Sequence, residues 1–215
     1  MTGRLVAWVV FVGIVAGIGY ASRFSNVKQE RDVVYHWSTA ANELLLFAII
    51  LGIVLWIARG LPRRDVFALR RPRSWRQALK LLLVVFGVIY IVSLVTEPLL
   101  HPDREQGLAP KNWEPAHAAA FAVNLVALAV IGPIVEELTF RGLGFRLFER
   151  FGRWTAISAT AVAFGLWHGL VDALPVLVVF GAGLAYVRSR TGSIYPGMAL
   201  HMFFNALALA IAVTV

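Results

Sequence analysis

Two adjacent glutamates, Glu136 and Glu137, stand in the apolar second half of the chain, followed after a short gap by Arg141. Downstream come Phe164 and His168, then His201 and Asn205. On a helix, residues four apart share a face. Glu137 can therefore pair with Arg141, and His201 and Asn205 can aim at one point. Glu136 points about 100° away from Glu137 around the same helix and is free to face a cavity. A charged side chain at the centre of a bilayer costs about 2.5–3.5 kcal/mol on insertion scales, so membrane proteins keep few of them without a use. The use available to this set is hydrolysis. A carboxylate removed from water beside a second acid can act as a base and take a proton from water. A histidine can orient that water or share its proton. An asparagine amide and a histidine N–H can stabilise the oxyanion of a tetrahedral intermediate. This chemistry suits cleavage of a peptide bond within a membrane cavity.

Each feature also has a plainer explanation. Glu137 and Arg141 read alone as a structural ion pair. His168 could donate to a neighbouring helix, and His201 with Asn205 could hold helices together. A transporter with a buried acid is disfavoured, because no pair of Gly/Pro-broken helices recurs in matching halves. The competing chemistry is zinc: His168, His201 and Glu136 match a three-ligand site with one open water position. A His-Glu-x-x-His run is missing, and few polar residues are at hand to orient the histidines as zinc ligands. Zinc is thus allowed but not required, and no cofactor is assigned.

The elements that must position these groups are membrane helices. The chain has 215 residues, 59% hydrophobic and 15% charged, with mean hydropathy +0.74. A soluble domain of this size needs more polar surface. Several apolar stretches approach the ~20 residues that cross a bilayer. The expected fold is an all-α, multi-pass bundle of about seven spans. They lie near residues 5–21, 43–58, 79–96, 116–137 with a bend at Gly132-Pro133, 155–171, 175–187, and 195 to the end. Glu43 reads as the interfacial start of the second helix, and Asn124 as a hydrogen-bonding residue in the fourth. His36, His101 and His117 read as interfacial. Three N-terminal helices (1–115) would precede a four-helix catalytic core (116–215). The chain contains no cysteine, which excludes disulfides, thiolate zinc sites and cysteine nucleophiles.

The formal charge of +8 resides in loops, where it reads as topology and contact with anionic lipid rather than nucleic acid. Arg59, Arg63, Arg64, Arg70, Arg71, Arg73, Arg76 and Lys80, opposed only by Asp65, mark a cytoplasmic loop. Arg141, Arg146, Arg150 and Arg153, then Arg188 and Arg190, mark two more. Glu97, Asp103, Arg104, Glu105, Lys111 and Glu114 suit an external loop over the proline-rich stretch 97–116. Segment 59–77 could form an amphipathic helix on the inner leaflet. Trp56, Trp75, Trp113, Trp154 and Tyr195 fall near helix ends as interfacial anchors. Arg4 before an apolar run, with Gly19-Tyr20-Ala21 after it, resembles a signal peptide, but the run is long for a signal core. The arginine bias with abundant Ala, Gly and Val suggests a GC-rich bacterial genome, hence a bacterial cell membrane.

The spacing Glu-Glu-x-x-x-Arg, Phe-x-x-x-His and His-x-x-x-Asn resembles the CPBP family of intramembrane proteases, also called the ABI family. It groups type II CAAX prenyl endopeptidases with bacteriocin-processing and immunity proteins. Glu136, Glu137 and Arg141, then Phe164 and His168, then His201 and Asn205 carry the likeness, with Thr191-Gly192-Ser193-Ile194 before the last motif. It covers about residues 116–210. The family has been described both as metalloproteases and as glutamate-dependent proteases. The resemblance implies that Glu136 and His168 activate water, that His201 and Asn205 form an oxyanion hole, and that Glu137 and Arg141 support them. It also implies a membrane-anchored peptide or protein as substrate. A non-catalytic immunity or scaffold protein of the same family is the alternative.

Overall fold

The computed structural model describes residues 1–25, 32–100 and 112–213, and among these it contains helices and no strand. His101, Asp103, Arg104, Glu105 and Lys111 of the expected external loop lie outside the described residues. Seven long helical elements follow in order: α1 Thr2–Arg23, α2 Trp37–Ile57, α3 Trp75–Leu100, a composite α4 over Pro115–Phe151, α5 Arg153–Trp167, α6 Leu174–Thr191 and α7 Tyr195–Ala212. Trp56, Trp75, Trp154 and Tyr195 lie within two residues of helix ends.

About seven spans were expected; among the described residues five helices are long and apolar enough to cross a membrane, and α5 and α6 are not among them. The reason is length and composition. α5 has 15 residues, so it rises about 22 Å, short of a ~30 Å hydrocarbon core. A left-handed glycine ends it: Gly169 has φ +64°, a conformation that suits glycine. α6 has 18 residues but carries Arg188 and Arg190 in its last turn, and it closes on Gly192, whose N–H returns to the Arg188 carbonyl at 3.0 Å.

α4 does not stop at the glutamates. It runs on to Phe151 through two wide π-type stretches, Ala127–Ile131 and Leu138–Gly144, on either side of a short α segment, Gly132–Glu137. Pro133 lacks an amide hydrogen, so the helix near it is accommodated by widening rather than by a simple bend. Side chains from other helices bond carbonyls of both wide stretches. Trp8 Nε1 on α1 donates to the Thr139 carbonyl at 3.0 Å, and Asn205 Nδ2 on α7 donates to the Leu128 carbonyl at 3.0 Å. Buried Asn124 donates from Nδ2 to the carbonyls of Val34 and His36, joining α4 to the segment that enters α2.

The basic loop is not an amphipathic surface helix. Only Arg63–Val66 is helical. The chain then turns inward, so that Val66, Phe67 and Ala68 are buried and Ala68 accepts from the Ile194 amide at 3.4 Å. Phe67 packs directly on Gly142, where an added Cβ would lie 2.7 Å from its ring. Pro62 and Pro72 bracket the segment and prevent a continuous helix. The charged residues stay at the surface while their apolar neighbours plug the bundle.

α1 is likewise a packed member of the bundle. Trp8 is buried against Phe140 and Phe148 with edge-on ring contacts, and Arg4 donates to the carbonyls of Ile57 and Arg59. Its residues Gly19 and Tyr20, within the segment that resembles a cleavage site, dock on the turn after α5. The side chains of Leu83, Val84, Ile91 and Leu94 on α3 face outward, as a lipid-facing helix requires. Glu43 is six residues into α2 rather than at its start. The chain is an integral membrane helical bundle.

Candidate active site

The α segment between the two wide stretches presents Glu136 and Glu137 in different directions. Glu137 is fully buried. Its Oε1 lies 3.1 Å from Arg141 Nη1, and both side chains have no exposed surface. Arg141 Nη2 donates to the Gly181 carbonyl on α6 at 3.1 Å, and its guanidinium sits 4.3 Å from the Phe164 ring centre. The ion pair is distance-close but not aligned as a hydrogen bond, since Nη1 and the carboxylate's Oε2 have no hydrogen-bond partner. A buried charge held this way is compensated by several partial interactions rather than one ideal one.

His201 Nδ1 lies 3.3 Å from Glu137 Oε1. The Glu137 carboxylate beside Arg141 accepts, so His201 donates from Nδ1, and its Nε2 is turned to Glu136 Oε2 at 3.6 Å. His168 caps the C-terminus of α5. Its Nδ1 lies 2.8 Å from the Phe164 carbonyl. A carbonyl can only accept, so this nitrogen carries a hydrogen. His168 Nε2 therefore faces Glu136 Oε2, at 4.0 Å. Both imidazoles thus commit Nδ1 to a partner and present Nε2 to one carboxylate oxygen. Unlike the Glu137–Arg141 pair, this half of the cluster can be reached: the Glu136 side chain is 13% exposed and that of His168 25%.

Phe164 links the groups. It touches His168 and His201 edge-on, at 4.7 and 5.6 Å between ring centres, lies under Arg141 and supplies the carbonyl that fixes His168. Phe180 on α6 closes the other side of His201 at 5.1 Å. Six of the seven residues singled out in the sequence converge within one cluster. Asn205 is on the same helix as His201, one turn on, and its carboxamide nitrogen is bonded to Leu128 rather than to that cluster.

Two contributors had no sequence signal of their own. Phe180 is one aromatic among many, and Gly181 acts through its carbonyl.

The His168 turn is itself held from outside the core. Tyr20 Oη donates to the Leu170 carbonyl at 3.0 Å, and Gly169 meets Gly19 backbone to backbone. A Cβ on Gly169 would lie 2.7 Å from the Gly19 carbonyl carbon.

Zinc liganded by His168, His201 and Glu136 needs all three atoms about 2.0–2.2 Å from a common point. Among the described residues no three histidine or carboxylate side chains are arranged to hold a metal ion. The expected shortage of groups to orient the histidines is not found: the Phe164 carbonyl and Glu137 serve both imidazoles.

Residues 118–207 match the model of the type II CAAX prenyl endopeptidase Rce1-like family. The curated "Putative membrane peptidase YdiL" of Bacillus subtilis (strain 168) is 26% identical over 91 residues, which cover 42% of this chain and 37% of that protein. The chain therefore spans little more than a third of that relative. No solved structure matches it. The matched region is the one that holds Glu136, Glu137, Arg141, Phe164, His168, His201 and Asn205, and in these residues and this helical fold the chain is similar to CPBP-family membrane proteins.

Proposed function

We propose that the chain is an intramembrane endopeptidase, with residues 116–215 as its catalytic core, and that Glu136 activates the hydrolytic water. The family likeness supports a membrane protease at the coarser level. The observation that carries the finer reading is the convergence of two imidazole Nε2 atoms on one accessible carboxylate oxygen, each imidazole fixed through its other nitrogen.

A water bound between Glu136 Oε2 and His168 Nε2 donates one hydrogen to each. Glu136 takes a proton as the water oxygen bonds to the substrate carbonyl carbon. The carbonyl oxygen becomes an oxyanion, for which we assign the second amide hydrogen of Asn205 and an Nε2 hydrogen of His201 as donors; that Nε2 proton comes from bulk solvent and returns to it when the intermediate collapses. Glu136 then returns its proton to the amide nitrogen and the carbon–nitrogen bond breaks. Glu137 and Arg141 hold His201 in register through the buried pair, and Phe164 holds His168. The substrate is a membrane-associated peptide or protein in a bacterial cell membrane.

The buried Glu137–Arg141 pair favours a second reading, a non-catalytic scaffold or immunity protein that uses the polar cluster as a lock. The two separate on Glu136→Gln. Purified wild type and variant are incubated with membrane-anchored peptides and melted in detergent. Loss of cleavage with an unchanged melting temperature supports the enzyme. Equal cleavage by both sinks Glu136 as the base, and no cleavage by either with a lowered melting temperature favours the scaffold.

A further inference from the structure

Away from the glutamates, a polar cleft of about 420 Å³ opens at the ends of α4 and α6 beside the loop before α3. Five arginines line it from three separate elements: Arg70, Arg71 and Arg73 from the loop, Arg146 from α4 and Arg188 from α6. Two carboxylates share it, and each is occupied. Asp65 Oδ1 lies 3.7 Å from Arg70 Nη1, and Glu149 Oε2 lies 3.2 Å from Arg146 Nη1. Among the described residues no carboxylate lies within 4.0 Å of Arg71, Arg73 or Arg188, and Glu149 acts on Arg188 only at longer range.

Charge at a cytoplasmic loop needs only topology to explain it. Arg188 does not fit that explanation. It is 5% exposed, its guanidinium rests 5.0 Å from the Phe145 ring centre, and its Nε has no hydrogen-bond partner. A topology signal works equally well in water. A buried guanidinium with an idle donor in a cleft is costly unless something accepts from it.

We infer that this cleft binds the phosphate of an anionic phospholipid headgroup. A tetrahedral phosphate presents several oxygens to guanidinium forks arriving from different directions, the arrangement in which arginine surpasses lysine. The lipid source follows from position. Trp75 begins α3 just after the cleft's loop, and Trp154 stacks on Tyr186, two residues before Arg188, at 6.2 Å. Tryptophan and tyrosine of this kind sit at the headgroup level, where anionic lipid phosphates lie. The Gly192 carbonyl holds Arg70 Nε at 2.9 Å, and the Arg73 amide donates to Thr191 at 3.2 Å. The loop arginines are thereby tied to the end of α6, the helix that carries Phe180 and Gly181 against the candidate active site.

The full chain, purified in uncharged detergent, is melted with short-chain phosphatidylglycerol, short-chain phosphatidylcholine or inorganic phosphate at equal concentration. Phosphatidylglycerol is expected to raise the midpoint by about 5 °C near saturation, and phosphatidylcholine to leave it unchanged. Arg188→Gln should weaken the phosphatidylglycerol response about tenfold. Arg71→Gln, at an exposed position that leaves folding intact, should do the same. Arg64→Gln, in the same loop but outside the cleft, should leave the response as in wild type. Equal protection by phosphatidylcholine, or equal loss in Arg64→Gln and Arg71→Gln, overturns the site. Equal protection by inorganic phosphate overturns the lipid assignment.

Discussion

His168 Nε2 stands 4.0 Å from Glu136 Oε2, and it reaches that point from the end of a helix that stops short of a full crossing. Had α5 continued for another turn and a half, His168 would lie mid-helix, its backbone N–H and C=O both taken up by helical bonds. Instead Gly169 turns the chain back, and the imidazole caps the helix facing the carboxylate.

Glu136→Gln removes the proposed base while keeping size and polarity. We expect cleavage to fall about 10²–10⁴-fold and the melting temperature in detergent to stay within about 1 °C. A peptide-cleavage assay alongside a thermal melt checks both; undiminished turnover would remove Glu136 from the mechanism.

Glu137→Gln breaks a pair in which neither side chain touches solvent. The Arg141 charge is left buried without its partner, which costs about 3–5 kcal/mol. The melt should drop sharply and activity with it. Glu137→Leu combined with Arg141→Met should recover part of the stability but not the activity, since His201 loses its Nδ1 acceptor. Full recovery of cleavage in the double variant would contradict the positioning of His201 through Glu137.

Gly169→Ala adds a methyl group at φ +64° and 2.7 Å from Gly19. α1 and the His168 turn must separate, and we expect a loss of stability of about 1–3 kcal/mol with a fall in turnover. Gly13→Ala, on the same α1 helix with nothing within 4 Å of the new methyl, should be silent. Equal behaviour of the two variants would show that α1 does not hold the turn.

Trp8→Phe keeps the ring contacts but leaves the buried Thr139 carbonyl without its donor. The cost should be about 1–3 kcal/mol, read as a lower melting temperature. An unchanged melt would mean that the wide stretch of α4 satisfies this carbonyl without Trp8.

Metal is checked by elemental analysis of the purified protein and by activity after strong chelation. On the glutamate mechanism, zinc is expected well below one per chain and activity should survive. Stoichiometric zinc, with activity lost on chelation and restored by adding it back, would make His168, His201 and Glu136 ligands.

The sequence by itself determined the class of fold and the chemical inventory. Apolar runs near the thickness of a bilayer leave helices as the available spanning structure for this chain, and spacing four residues apart put Glu137 with Arg141 before any coordinates. Tertiary structure decided the rest. The turning of the basic loop into the bundle depends on Phe67 meeting Gly142, a contact between residues distant in the chain. The site's placement of Phe180 against His201 depends on how helices rotate against one another, which their nearly uniform apolarity does not encode. The assignment of the histidine nitrogens depends on which acceptors, the Phe164 carbonyl and Glu137, come within reach. Local periodicity reports what a helix is made of; which side of it meets a carboxylate is settled only when several helices pack at once.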